Sequence, residues 1–199
     1  DCWRYDLHVV EPFAVPAHWG RFRSMDWGSA KPFSVGWWAI VGDDHCLPAE
    51  GGSNRVIPRG ALVRYREWYG AAGPNVGLKM TAEAVGAGIA QRESRDPNLR
   101  YGVLDPACFR EDGGPSIAER INKELIAARL RPFHAADNSR VPQRGSMGGW
   151  DQVRSRLVGQ DGRPMIYCFA THVASIRTIP ALQHDPARPE DVNTESEDH

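Results

Sequence analysis

Hydrophobic and polar residues alternate along three segments in the first third of the chain. Segments 21–27, 33–42 and 61–69 follow the period of two that is typical of half-buried β-strands. The sequence DDHCLPAEGGSNRVIPRG, between the second and third segments, is rich in Gly, Pro and polar residues, which predicts a long hairpin loop. The three segments therefore predict an antiparallel meander.

The first twenty residues lack this alternation. They contain Pro12 and Pro16, which limit regular structure. We expect residues 1–20 to be an irregular linker or lead-in, and residues 21–199 to form the folded domain.

Farther along the chain, apolar residues recur with the spacing of helices. MTAEAVGAGIAQRES opens with Thr81 as a helix N-cap, and SIAERINKELIAARL begins at Ser116 with Glu119 at the capping-box position. GGWDQVRSRLVG predicts a helix that ends at Gly159, and HVASIRTIPALQ predicts a last helix that Pro180 interrupts.

Two apolar strands, 101–109 and 164–171, are interleaved with these helices. The order is therefore β-β-β-α-β-α-α-β-α, which predicts an α/β fold with a mixed five-stranded sheet and helices on both faces. In this sheet the first three strands are antiparallel. The ribonuclease H-like fold is one fold with this order, and it places the first and fourth strands side by side.

Composition indicates a globular chain, and a length of 199 residues leaves a small second domain open. No apolar stretch approaches the length of a membrane span, and the N-terminus lacks the features of a signal peptide, so we expect cytoplasmic residence. The cysteines form no CxxC or Cys/His cluster. We therefore expect reduced cysteines in or near the core, rather than zinc ligands or disulfides, at Cys2, Cys46, Cys108 and Cys168.

Two candidate strands end in an aspartate followed by a turn or breaker, at Asp26 and Asp105. If the two strands are parallel neighbours, both carboxylates lie at one sheet edge, where like charges repel unless a cation lies between them. Mg²⁺ or Mn²⁺ fits such oxygen ligands, and two such ions can hydrolyse a phosphodiester. Each aspartate is also a good turn starter, so both interpretations stay open.

Two further acids are candidates. Glu67 shares a strand face with Val63, Tyr65 and Tyr69, and an acid on that face is either a metal ligand or outer partner, or is paired with an arginine. Asp198 by itself is one charge in the acidic tail EDVNTESEDH.

The motifs MDWG, LVRYREWYG, YGVLDPACF, ADNSR, GGWDQVRSRL and EDVNTESEDH, in this order, resemble the nuclease domain of the large terminase subunit of tailed bacteriophages. The resemblance covers nearly the whole chain. It implies a ribonuclease H-like, metal-dependent endonuclease that cuts concatemeric viral double-stranded DNA during genome packaging, with Mg²⁺ or Mn²⁺ as cofactor.

Carried over residue by residue, Asp26 and Asp105 match the first two catalytic acids, and Glu67 matches a recurring glutamate. Asp198 and His199 match the start of a C-terminal motif that continues with an aspartate three residues after the histidine. The sequence ends at His199, so Asp198 is our candidate for the third catalytic and metal-binding acid.

The large subunit normally also carries an ATPase motor, but this sequence contains no G-x-x-x-x-G-K-[ST] phosphate loop. We expect a nuclease domain without its motor, in which residues 1–20 belong to the connecting segment. The resemblance implies the ATPase domain, the small terminase subunit and the portal as partners, and we expect a monomer in isolation.

Arginines are concentrated in the segment from Arg129 to Arg156, which contains six arginines and two aspartates. Such a stretch can follow a DNA backbone by neutralising phosphates, or it can be an ordinary solvated face. The candidates for DNA contact are Arg140, Arg144, Arg154 and Arg156.

Two other functions remain open. A resolvase-like nuclease of the same fold would act on branched DNA. A docking module would bind DNA or the portal without cutting.

Overall fold

The computed structural model describes residues 2–48, 55–94, 96, 99–142, 145, 147–188 and 191–193. The strands are β1 (Val9–Val10), β2 (Gly20–Asp26), β3 (Ser34–Ile40), β4 (His45–Leu47), β5 (Arg55–Ile57), β6 (Leu62–Tyr69), β7 (Ala71–Gly73), β8 (Val76–Gly77), β9 (Leu99–Leu104), β10 (Phe133–Ala135) and β11 (Ile166–Phe169). The α-helices are α1 (Tyr5–His8), α2 (Ala82–Glu93), α3 (Ile117–Ala127), α4 (Gly149–Val158) and α5 (Val173–Thr178).

Seven strands form the main sheet, in the order β1-β11-β6-β3-β2-β9-β10. The five strands predicted from the sequence are present as β2, β3, β6, β9 and β11, and the predicted ribonuclease H-like architecture of a central mixed sheet with helices is confirmed. The predicted number of strands is wrong. The edge strands β1 and β10 have two and three residues, which is too short for an alternating pattern to be visible.

The chain divides into two compact units. The first contains Asp1–Gly20, Trp38–Glu67 and Ser139–Asp198, and the second contains Arg21–Trp37 and Trp68–Asn138. In the first unit β11 is parallel to both β1 and β6. In the second unit β9 is parallel to both β2 and β10.

The predicted irregular lead-in is instead part of the first unit. Val9 and Val10 pair with Cys168 and Phe169 of β11, and Val10 and Trp19 are almost fully buried in the hydrophobic core of this unit. Full burial of one such side chain stabilises a fold by roughly 2 kcal/mol, so several buried contacts together, and not a regular sequence pattern, hold this segment.

The predicted hairpin loop after β3 contains a small hairpin of its own. β4 and β5 are antiparallel, with Cys46 paired with Val56. Three-residue strands are too short to stand out in a segment dominated by turn-forming residues.

The predicted helix caps are confirmed. Thr81 Oγ1 accepts a hydrogen bond from Ala84 N–H at 3.2 Å. Ser116 Oγ accepts from Glu119 N–H at 3.1 Å, and the Glu119 carboxylate accepts from Ser116 N–H at 2.7 Å, which completes a capping box.

Two glycines inside α2 are explained by close packing in the second unit. A Cβ atom at Gly86 would lie 2.9 Å from the Ile121 carbonyl oxygen of α3, and one at Gly88 would lie 2.3 Å from the Trp68 ring. Glycine normally weakens a helix, but here it allows α3 and Trp68 to approach the α2 backbone.

No helix in the described part of the chain has the length and apolar character needed to cross a membrane.

Candidate functional site

Asp26 and Asp105 lie side by side in the second unit. β2 and β9 are parallel, and Met25 is the register partner of Leu104, so Asp26, the last residue of β2, and Asp105, the residue directly after β9, follow paired positions. Neighbouring strands lie about 4.8 Å apart, which brings the two residues close together at one edge of the sheet. The predicted pairing of the first and fourth strands is therefore confirmed.

Asp105 also starts the turn that follows β9. Its Oδ1 accepts a hydrogen bond from Ala107 N–H at 2.6 Å and caps the 3-10 helix Pro106–Phe109. This contact fixes the orientation of the carboxylate. Since a carboxylate has about four acceptor positions, capping and cation binding are compatible, and the two sequence interpretations of Asp105 do not compete.

The thiol of Cys108 lies in the field of both aspartates. Burial is the main cause that raises the pKa of Cys108 to about 11, and the negative charges of Asp105 and Asp26 add to the effect. Both carboxylates therefore act on one small volume, which favours a cation there.

We expect Cys108 to react slowly with alkylating reagents. The thiolate is the reactive form, and a thiol with a pKa of about 11 is roughly 100-fold less ionised at pH 8 than one at the ordinary value of 9.0. Iodoacetamide labelling followed by mass spectrometry should modify exposed Cys46 first, and the rate at Cys108 should rise as the pH approaches 11. Asp26→Asn should speed labelling of Cys108 by removing one of the charges that raise its pKa. Equal rates at Cys46 and Cys108 would contradict this electrostatic description.

The donor chemistry of the pair fits a hard divalent cation, because Mg²⁺ and Mn²⁺ prefer carboxylate oxygen. Within the described ranges, no group of three or more His, Cys, Asp or Glu side chains is arranged to hold a metal ion. The third predicted ligand, Asp198, lies outside the described residues. Among the described residues, the two carboxylates of Asp26 and Asp105 are therefore the candidates for binding such a cation, and their role as metal ligands stays a prediction.

Glu67 is held by the start of α5 in the first unit. Its Oε1 accepts from Ala174 N–H at 3.0 Å, and its Oε2 accepts from the Ser175 N–H at 3.1 Å and hydroxyl at 2.6 Å. Burial lowers the pKa of Arg64, and the charge of Glu67 opposes this shift. Burial likewise lowers the pKa of His172 to about 4. Glu67 therefore has the hydrogen-bond partners that a half-buried acid needs, and its role as a metal ligand or outer partner stays a prediction.

The predicted DNA-binding arginines that the structure describes lie in the first unit. Arg140 forms an ion pair with Asp191 at 3.1 Å and keeps half of its side chain exposed. Arg154 and Arg156 are exposed on α4, a helix with no buried residue. Arg144 lies outside the described residues.

An aromatic pair on the same two strands as the aspartates was not predicted from the sequence. Phe22 and Tyr101 are register partners on β2 and β9, and their rings are stacked. The available signal was the equal spacing, since each aromatic residue precedes an aspartate by four positions, at Asp26 and Asp105.

The sequence matches no protein-family model and no curated protein, but solved structures share its fold. The large terminase of the thermophilic bacteriophage D6E matches with a TM-score of 0.66 and 15% identity, covering 100% of this chain and 41% of its own. Another crystal form of that protein gives 0.67 and 16%, with coverages of 100% and 40%. The P22 large terminase nuclease domain gives 0.61 and 13%, covering 98% of this chain and 84% of its own.

These likenesses confirm the inferred resemblance to the large terminase nuclease domain at the level of the fold. The chain spans about two fifths of the length of the D6E structures that it matches.

Proposed function

We propose that this chain is a divalent-metal-dependent endonuclease that cuts double-stranded DNA, as part of a large terminase that processes concatemeric viral DNA during genome packaging. The observation that carries the proposal is the pair of carboxylates at the ends of neighbouring parallel strands, Asp26 and Asp105. Similarity in fold to the P22 large terminase nuclease domain supports the same class of activity.

Asp26 and Asp105 would hold Mg²⁺ or Mn²⁺, with Asp198 as the third ligand and Glu67 as an outer partner. Two bound ions supply an activated water and neutralise charge on the leaving oxygen. The chain's own contribution is positional: the β2–β9 register sets the separation of the two aspartates, and the Ala107 N–H orients Asp105. Strand ends in a packed sheet are rigid supports for such ligands.

DNA contact would come from the arginine-rich stretch. Arg154 and Arg156 are exposed on α4, and Arg140 and Arg144 precede this helix. Contacts of this kind neutralise phosphates, so affinity should fall steeply as salt rises. The ATPase domain, the small terminase subunit and the portal complete the proposed assembly, and the isolated chain is proposed to be a monomer.

The test is nicking of supercoiled plasmid by the purified chain in Mn²⁺, in Mg²⁺ and in EDTA. We expect conversion to open-circular and linear DNA in Mn²⁺ or Mg²⁺ and none in EDTA, because the two aspartates supply no nucleophile of their own for this reaction. A four-way junction and a linear duplex of equal length, run in parallel, separate the terminase-like activity from a resolvase-like one. DNA binding that persists in EDTA, with no cutting in either metal, would contradict the nuclease function and support a docking module that binds DNA without cutting it.

A further inference from the structure

One face of β2, β9 and β10 in the second unit carries a row of residues that the core does not use. We call it the acid-bearing face, and it consists of Phe22, Ser24 and Asp26 of β2, Tyr101, Val103 and the adjoining Asp105 of β9, and His134 of β10. None of these residues is buried. Asp26, Tyr101 and His134 are exposed, and the other four residues are half-buried.

The opposite face of the same strands is the packed one. Arg23 and Met25 are buried there, and a Cβ atom at Gly102 would lie 2.8 Å from the Arg23 side chain and 3.0 Å from Phe133. Successive side chains along these strands therefore point alternately to the packed face and to the acid-bearing face.

The aromatic pair is the most unusual feature of the acid-bearing face. The rings of Phe22 and Tyr101 are stacked, with centroids 5.2 Å apart and an angle of 8° between the planes. Tyr101 is 41% exposed, although aromatic side chains in a sheet are normally used to bury apolar area. A preformed, partly exposed ring stack is a surface on which another flat ring can stack.

The distance to the aspartates suits a nucleic acid strand. Four residues separate Tyr101 from Asp105 and Phe22 from Asp26, which corresponds to about 13 Å along a strand. This length equals the rise of about four base steps in a duplex, and of fewer in a stretched single strand. A nucleic acid strand that runs along this face with one phosphodiester at the aspartates would therefore bring a nearby base to the ring stack.

Charge on the second unit is compatible with the same occupant. Arg100 and Arg131 are exposed at the end of the unit where β9 and β10 begin, although strand alternation places Arg100 on the face opposite Tyr101. A phosphate backbone that passes this end of the sheet would meet these arginines, and the rings of the acid-bearing face would remain available to a base.

We propose that the Phe22–Tyr101 stack binds a base of an unpaired DNA segment, a few nucleotides from the phosphodiester held at Asp26 and Asp105. The position of the DNA in this inference is taken from the proposed nuclease function. It adds a substrate class: the strand that enters the site is single-stranded or locally melted, because a base within a duplex does not expose its face.

The first test measures binding in EDTA, where no cutting occurs. The probes are a fluorescent oligothymidylate of twelve nucleotides and the same backbone with abasic sites, and binding is followed by anisotropy. Stacking on an aromatic ring contributes enough that we expect Tyr101→Ala and Tyr101→Leu to weaken oligothymidylate binding about 10-fold. Tyr101→Phe should bind like the parent, and none of the changes should alter binding of the abasic strand.

Tyr5→Ala is the matched control, because Tyr5 is also exposed, at 62%, and lies in the first unit. Thermal melting of each variant separates loss of stacking from loss of folding, and Tyr101→Leu keeps apolar bulk at the site. Unchanged oligothymidylate binding in both Tyr101→Ala and Tyr101→Leu would overturn the proposal, as would an equal loss for the abasic strand.

The second test separates this proposal from the nuclease function. In Mn²⁺, Tyr101→Ala should raise KM for a melted or gapped duplex about 10-fold with kcat nearly unchanged, because it removes binding remote from the reacting bond. If the parent does not cut but Tyr101→Ala still weakens oligothymidylate binding selectively, the nuclease function fails and the stacking site stands. If the parent cuts and Tyr101→Ala alters neither KM nor binding, the stacking site fails and the nuclease function stands.

Discussion

Replacing either Asp26 or Asp105 with asparagine should abolish DNA cutting while leaving the chain folded. Both residues would be direct metal ligands, whereas changes in outer partners of a metal site already cost about 10- to 100-fold. We therefore expect a loss of more than about 100-fold in the nicking rate for each variant. Plasmid nicking in Mn²⁺, measured over a range of protein concentrations, gives this ratio directly.

The same substitutions should not destabilise the fold. Asparagine is as good a capping residue as aspartate, so Asp105→Asn keeps the hydrogen bond to the Ala107 N–H. Removal of one of two neighbouring negative charges also relieves repulsion in the metal-free chain. We expect thermal midpoints in EDTA equal to or above that of the parent, and this combination of lost activity with retained stability identifies residues kept for binding a ligand.

Asp112→Asn is the matched control, because Asp112 is an exposed aspartate of the same unit, beyond the 3-10 helix that follows Asp105. It should change neither the nicking rate nor the midpoint. Cutting at the parental rate by Asp26→Asn or Asp105→Asn would remove the pair from the proposed mechanism.

The pairing of the two aspartates was predictable because local sequence and topology point to the same result. Each strand has a clear apolar pattern, each ends in an aspartate, and the β-β-β-α-β order brings the first and fourth strands together. The helix caps were predictable for a similar reason, since Thr81 and Ser116 act on backbone groups only three residues away. The caps were inferred from neighbours in sequence, whereas the pairing of two strands far apart in the chain was inferred only because the order of elements matches a known topology.

Features determined by distant contacts could not be inferred in this way. Glu67 accepts hydrogen bonds from Ala174 and Ser175, more than a hundred residues farther along the chain, and nothing in its own strand indicates that partner. The stack of Phe22 on Tyr101 depends on the exact register of β2 and β9, which shifts at an irregularity between Arg21 and Phe22. A register change of one residue would move a side chain to the other face of the sheet.

A second feature that sequence alone could not reveal is a buried ion pair beneath the acid-bearing face. Arg23 lies on β2 between Phe22 and Ser24, and its Nη1 donates to both oxygens of Glu93 at 2.8 and 2.7 Å. The Arg23 and Glu93 side chains are at most 1% exposed. Burial lowers the pKa of the Arg23 guanidinium, and the charge of Glu93 opposes that shift.

The pair is embedded in a wider network. Trp37 Nε1 donates to Glu93 at 2.8 Å, Arg23 Nη2 donates to the Arg131 carbonyl oxygen, and the guanidinium lies 4.3 Å from the centroid of the Phe133 ring. These contacts join β2, β3 and α2 to the segment that leads into β10. They therefore support the strand that ends at Asp26.

Glu93→Ala should be among the most destabilising single changes in the second unit. It leaves the Arg23 charge buried without a partner and removes the acceptor of Trp37, and breaking a buried pair in this way typically costs about 3 to 5 kcal/mol. For a chain of this length we expect the thermal midpoint to fall by roughly 10 °C. Urea unfolding followed by tryptophan fluorescence measures the free energy of unfolding directly.

Glu83→Ala provides the comparison, because Glu83 also binds an arginine bidentately, through Arg120 at 2.6 and 2.8 Å, but at the surface. Exposed ion pairs contribute little, so this change should shift the midpoint far less. The double variant Arg23→Met with Glu93→Leu should recover part of the lost stability, since it removes both buried charges together but leaves Trp37 Nε1 without its acceptor. If Glu93→Ala and Glu83→Ala have the same thermal midpoint, the Arg23–Glu93 ion pair is not what holds β2 against α2. The fixed position of Asp26 would then come from the β2–β9 register alone.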